Sequence, residues 1–247
     1  MHRPMKTEPT SREGLTLHHL ELARPDLKGM RINAALSPGD FLVVVGRNGA
    51  GKSTLLQTIM SLLPPAQGEV WLGEDQVAEL RPRDRAARMS LVTSTPPRHA
   101  GITVRATMEL ALRAAGLPVD RSSVEDGMKR AGIAVWADRR LDHLSDGMAQ
   151  RVMVARAALQ GREVMVLDEP TAFLDVVGKE DILSQLHHCR TSGTIVVLAS
   201  HDLDAVAASG AVTHWLHLHP GSGLGSTFHE GGFAVQEARE ALRREHR

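Results

Sequence analysis

Five consecutive apolar residues, Phe41-Leu42-Val43-Val44-Val45, run directly into Gly46-Arg47-Asn48-Gly49-Ala50-Gly51-Lys52-Ser53-Thr54. No other stretch constrains the fold as strongly. The apolar run predicts a strand covered on both faces, and the spacing of Leu55, Leu56, Ile59, Met60, Leu62 and Leu63 predicts a helix ended by Pro64-Pro65. Between them Gly46, Gly51, Lys52 and Ser53 satisfy G-x-x-x-x-G-K-[ST]. The glycines let the backbone turn so that successive N–H groups converge on phosphate oxygens. Lys52 adds a point charge for the β- and γ-phosphates, the Ser53 hydroxyl can ligate Mg²⁺, and the helix N-terminus adds its partial positive charge. Residues 46–54 are therefore predicted to hold a nucleoside triphosphate.

The remainder of the chain fits an α/β fold around that junction. Loosely alternating runs at Leu15–Leu22 and residues 30–36 predict antiparallel strands, and Ser37-Pro38-Gly39-Asp40 a turn. A strand is expected at residues 68–72, a charged surface helix at 81–88, and a short strand at 90–93 followed by a loop to Gly101. Residues 103–115, 124–131 and 148–159 have helical spacing with no strand between them, which predicts a helical insertion at about residues 95–160. Buried parallel strands return at 164–167 and 194–199, with a helix at 179–189 between them. Beyond residue 213 the signal weakens to a strand at 215–218, a flexible turn at 220–225 and the polar helix Val235–Arg244.

Composition narrows the class further. At 247 residues and 42% hydrophobic content, one α/β domain with an inserted subdomain has ample core. Lys+Arg and Asp+Glu both total 29, so no basic field argues for nucleic acid. The lone Cys189 excludes an internal disulfide framework and reads as an ordinary helix residue of a reducing compartment. No apolar run approaches the roughly 18 residues of a membrane span, and residues 1–10 are polar with no leader-like core, so a cytoplasmic protein is expected. His217 and His219 share a face of the strand expected there, with His214 nearby; a solvated sheet edge is the expected reading rather than a metal site.

Two further stretches carry chemistry. Leu167-Asp168-Glu169 ends a buried strand with adjacent carboxylates, which suits a metal and an attacking water at the C-terminal sheet edge. Asp168 can hold Mg²⁺ through water, and Glu169 can polarise the nucleophile. Leu144-Ser145-Asp146-Gly147-Met148-Ala149-Gln150-Arg151 opens a helix, with Ser145 as the expected N-cap and Gly147 baring N–H groups for a second anion.

That last stretch resembles the signature motif of ATP-binding cassette (ABC) ATPases, usually L-S-G-G-Q, with Asp146 and Met148 departing from it. The resemblance spans residues 14–219 and leaves residues 220–247 as a C-terminal extension. It includes residues 46–54 (Walker A), residues 164–169 (Walker B), Thr171-Ala172-Phe173-Leu174-Asp175 (D-loop) and Ser200-His201-Asp202 (switch histidine), in the family's order. It implies a RecA-like P-loop NTPase core with an N-terminal antiparallel β subdomain and an inserted α-helical subdomain. It also implies a head-to-tail homodimer that sandwiches two ATP molecules, each between Walker A of one copy and Ser145, Asp146, Gly147 and Met148 of the other. Glu169 and His201 would then be catalytic, and ATP and Mg²⁺ the ligands. Partners implied are integral membrane permease subunits and a substrate-binding protein, with no nucleic acid, which puts the chain on the inner face of the cell membrane. Leu-Ser-Asp-Gly, with residues 152–157 and 170–175, looks like the importers of iron chelates, haem and vitamin B12.

Two departures stand out. Where the family places a glutamine that touches Mg²⁺ and senses the permease, alignment gives Ser94, whose hydroxyl can reach a metal-bound water. Where it stacks adenine on an aromatic residue, no Phe, Trp or Tyr precedes Phe41, leaving Arg24, His18 or His19 as planar substitutes. A soluble ABC ATPase without a permease, such as one of iron–sulfur assembly, is the alternative. A small-molecule P-loop kinase would leave residues 144–151 unexplained.

Overall fold

The computed structural model describes residues 13–97, 101–219, 225–231 and 235–244. In chain order these form β1 (Leu15–Leu22), β2 (Arg31–Leu36), β3 (Phe41–Val45), α1 (Lys52–Ile59), β4 (Pro65–Leu72), β5 (Asp75–Gln76), α2 (Pro82–Arg88), β6 (Met89–Val92), α3 (Val104–Ala115), α4 (Arg121–Arg130) and α5 (Asp146–Leu159). They continue with β7 (Val164–Asp168), α6 (Val176–Thr191), β8 (Ile195–Ala199), α7 (Leu203–Ala208), β9 (His214–His219), β10 (Gly225–Glu230) and α8 (Val235–Arg244). The polar residues 1–10 and most of the expected turn after residue 219 lie outside the described residues.

Two sheets carry the architecture. An antiparallel sheet has the order β2-β1-β4-β5, and a six-stranded sheet has the order β10-β9-β3-β8-β7-β6, parallel except for the β10–β9 pair. Strands β3 and β8 of the larger sheet, and β7 up to Asp168, are apolar and buried because helices and the smaller sheet cover them on both sides. Phe41, Val43 and Val45 of β3 join Met165 and Leu167 of β7 in one core with α3, α5 and α6. Leu42, Val44 and Val166 join a second core with Leu55, Leu56 and Ile59 of α1 and the β1–β2–β4 strands. The phosphate-loop helix is thus clamped between the sheets, while α3, α4 and α5 follow one another as the expected helical insertion.

Helices α3 to α7 start on side-chain caps, and several begin earlier than apolar spacing suggests. Asp120 accepts from Ser123 N (2.8 Å) and opens α4, and Asp175 accepts from Gly178 N (2.8 Å) and opens α6. Three elements, the two-residue β5, α7 and β10, are additions to the sequence reading. Helix α7 is only six residues long and is capped by Asp202. Strand β10, Gly-Ser-Thr-Phe-His-Glu, has weak β character and owes its conformation to pairing with β9 and to Ser226 Oγ donating to Arg31 O (2.7 Å). The expectation of a solvated histidine edge is corrected here: β10 takes the edge, and His217 is 1% exposed. Burial, with His219 and His229 nearby, lowers its pKa to about 4, which keeps the ring neutral. Cys189 is a buried α6 residue, and burial raises its thiol to about 11. Among the described residues no helix is long and apolar enough to cross a membrane.

Candidate functional site

The loop between β3 and α1 needs its three glycines for three different reasons. Gly46 has no room for a side chain, since a Cβ would lie 2.9 Å from Ala50 Cβ and 3.3 Å from Leu218 O. Gly49 takes φ 84° in open space, so only its backbone conformation demands glycine. Gly51 combines both, with φ 96° and a Cβ that would lie 2.4 Å from Leu27 Cδ1. Lys52 is 8% exposed, and its Nζ donates to Gly46 O (3.0 Å) and Arg47 O (3.3 Å), so the ammonium is centred over the loop. Arg47, Asn48 and Ser53 are exposed, Ala50 is buried and Thr54 half-buried. Of the three planar candidates for the base, Arg24 reaches this loop: Nη1 donates to Gly49 O (3.4 Å), while Nε and Nη2 fork onto Asp26. His18 and His19 instead lie against each other in β1, with centroids 4.3 Å apart.

Strand β7 delivers Asp168 and Glu169 to the C-terminal edge of the sheet. Asp168 Oδ1 is buried and has no hydrogen-bond partner among the described residues, as suits an acceptor for a metal-bound water. Glu169 holds a positive φ of 48°, a strained conformation for a residue with a side chain. Its Oε2 accepts from His201 N (3.1 Å) and lies 2.7 Å from His201 Nδ1. A carboxylate acceptor favours the tautomer in which Nδ1 donates this contact. The structure thus brings Glu169 and His201 together. Lys179, which the sequence reading did not single out, forms an ion pair with Asp202, and that contact lowers the Asp202 pKa. A Lys four residues after the Asp175 cap, on a helix facing the switch loop, was the available signal.

The signature stretch is built as a capped helix start. Ser145 Oγ accepts from Met148 N (3.2 Å), and Ser145 and Asp146 are exposed. Gly147 has a further role beyond baring N–H groups: a Cβ there would lie 2.9 Å from Leu174 Cδ2 and 3.1 Å from Phe173 O. Met148 packs half-buried against the α-helical core. Ser94 is half-buried in a turn shaped by Thr93 Oγ1 donating to Thr95 O (2.9 Å). Phe173, Val176 and Val177 leave an exposed apolar face beside the D-loop, with exposures of 77%, 71% and 63%. No group of three or more metal-ligating side chains occurs among the described residues, the histidines of β9 and β10 included.

Residues 30–172 match the family model described as ABC transporter. The chain is 34% identical over 188 residues to a hemin import ATP-binding protein of Bradyrhizobium diazoefficiens, covering 70% of this chain and 68% of that one. It is 30% identical over 183 residues to an iron(3+)-hydroxamate import ATP-binding protein of Bacillus subtilis, covering 71% and 68%. A solved structure described as the ATP binding subunit of an ABC transporter superposes with a TM-score of 0.79 at 21% identity, covering 93% of this chain and 99% of that one.

Proposed function

Because the chain belongs to the ABC transporter family as an ATP-binding, ATP-hydrolysing subunit, we propose that it energises a membrane permease that imports an iron chelate, haem or cobalamin. The substrate class is supported by relatives named for hemin, iron(3+)-hydroxamate and cobalamin import. The permease, and with it a place on the inner face of the membrane, is supported by the same import names. A substrate-binding protein completes such a system.

The observation that carries the hydrolytic reading is the Glu169–His201 pair beside the bare Asp168 oxygen. Residues 46–54 bind the triphosphate, and Lys52 leaves its two carbonyl contacts for the β- and γ-phosphates. With Oε2 occupied by His201, Glu169 keeps Oε1 to accept the proton of the attacking water, and His201 Nε2 faces the phosphoryl group. Ser53, Asp168 and Ser94 fit Mg²⁺ through a hydroxyl and through metal-bound waters, and the ion when bound neutralises charge on the phosphates. Ser145, Asp146, Gly147 and Met148 cap the nucleotide of a second copy in a head-to-tail homodimer, using the exposed helix start.

Glu169→Gln tests this reading. The amide still accepts from His201 N but cannot take a proton, so ATP binding persists, turnover stops and ATP–Mg²⁺ traps a dimer. Light scattering with and without nucleotide reads the outcome; a saturated variant that stays monomeric would sink the sandwich.

A further inference from the structure

Gln150 is 1% exposed, an unusual place for a primary amide, and sits in the second turn of α5. Its Nε2 donates to Thr93 O (3.1 Å), and its Oε1 is buried with no hydrogen-bond partner among the described residues. Rotating the amide by half a turn would set Oε1 against the Thr93 carbonyl, so the bond fixes its orientation. Packing alone gives no reason for the residue. Its neighbours Ala149, Val152 and Met153 belong to the apolar core, where a leucine of similar volume would leave no unpaired oxygen.

The position of Thr93 explains what the amide holds. Strands β6 and β7 pair in parallel with Val92 opposite Leu167, so Thr93 and Asp168 are the next residues of adjacent strands. Ser94 follows, in the turn closed by the Thr93 hydroxyl. On the other side Gln150 lies five residues after the Ser145 cap. The next residue, Arg151, fastens the same helix to Asp181 of α6 (2.6 Å) and lies over the Trp136 ring at 5.2 Å. Apolar side chains can slide past one another, whereas a single buried hydrogen bond fixes register.

The geometry points to Gln150 as a positioning residue that links the Ser94 turn to the helix start at Ser145–Met148, so that a displacement of either end moves the other. This rests on the ATPase reading of those two segments.

The test uses Gln150→Leu, Ser94→Ala and the double variant in the full chain, with Gln150→Met as a same-length replacement should leucine pack poorly. Without nucleotide, amide exchange across residues 90–97 should accelerate about tenfold in Gln150→Leu while residues 41–56 stay as in the parent. In steady state kcat should fall about tenfold with KM for ATP within twofold, and Ser94→Ala should add no further loss in that background. A purely structural glutamine predicts lower thermal stability but parental kcat well below the melting point, or losses that multiply in the double variant; either overturns the proposal. The exchange measurement needs no nucleotide, so an inactive parent would count against the ATPase reading while the mechanical link stood or fell separately.

Discussion

Gly51→Ala is the perturbation whose size follows most directly from the coordinates, because Gly49→Ala beside it serves as its control. Both positions have left-handed φ, 96° and 84°. A side chain there costs about 1–2 kcal/mol, offset by about 0.4–1 kcal/mol from the stiffer unfolded chain. For Gly49 the sum ends there, since a Cβ would meet nothing within 4 Å, giving a net loss of about 0.5–1.5 kcal/mol. At Gly51 the new methyl would lie 2.4 Å from Leu27 Cδ1 and 3.2 Å from Leu22 Cδ1, both side chains 1% exposed. Overpacking of that kind adds about 1–3 kcal/mol, for a total of about 2–4 kcal/mol. At about 2–4 °C per kcal/mol for a chain of this length, Gly51→Ala should melt about 4–16 °C lower and Gly49→Ala only about 1–6 °C lower. Urea unfolding of each variant, with and without Leu27→Ala, isolates the clash: in the Leu27→Ala background the Gly51 increment should shrink to that of Gly49. Equal losses at the two glycines, or an increment unmoved by Leu27→Ala, would refute the steric argument.

Lys52→Ala removes the charge-assisted contact to the phosphates and should weaken ATP binding by about 1.5–3 kcal/mol, or roughly 10- to 150-fold; an unchanged nucleotide titration contradicts the site. The pH dependence of stability has a defined source in His217, whose folded pKa is about 4 against an ordinary 6.5. Between those values the folded chain binds fewer protons than the unfolded one, so stability rises with pH across that window and levels off above it, with a slope of at most about 1.4 kcal/mol per pH unit. His217→Leu should flatten this rise in denaturant titrations from pH 4 to 7, and an unaltered slope would show that the ring is not the titrating group.

Legibility in the sequence tracked how local the cause was. Residues 41–54 were readable because the glycines, Lys52 and the apolar strand are demanded by a turn a few residues long, and the fold class followed from the covered strands around it. The starts of α4 and α6 were readable late by several residues because Asp120 and Asp175 act through caps outside the apolar period. Strand β10 was not readable, since residues 225–230 become a strand only against β9. The same pairing buries His217, which on its own residues looks like a wet edge. Gly147 was read as an N–H donor because its closest neighbours, Phe173 and Leu174, are distant in sequence. Gln150 passed as part of a motif, and only the Thr93 carbonyl marks it as a link.

The phosphate loop is encoded early, yet the strand that carries it lies in the middle of the sheet, flanked by β8 and β9 from late in the chain. During synthesis at about 5–20 residues per second, β3 therefore waits on the order of ten to thirty seconds for both neighbours. ATP stabilises the finished fold by mass action, and in that fold the loop's Gly46 packs against Leu218 of the late strand β9. A ribosome that stalls before residue 214 releases a chain with an apolar strand open along one side, so its fate is set by chaperones and proteases rather than by nucleotide.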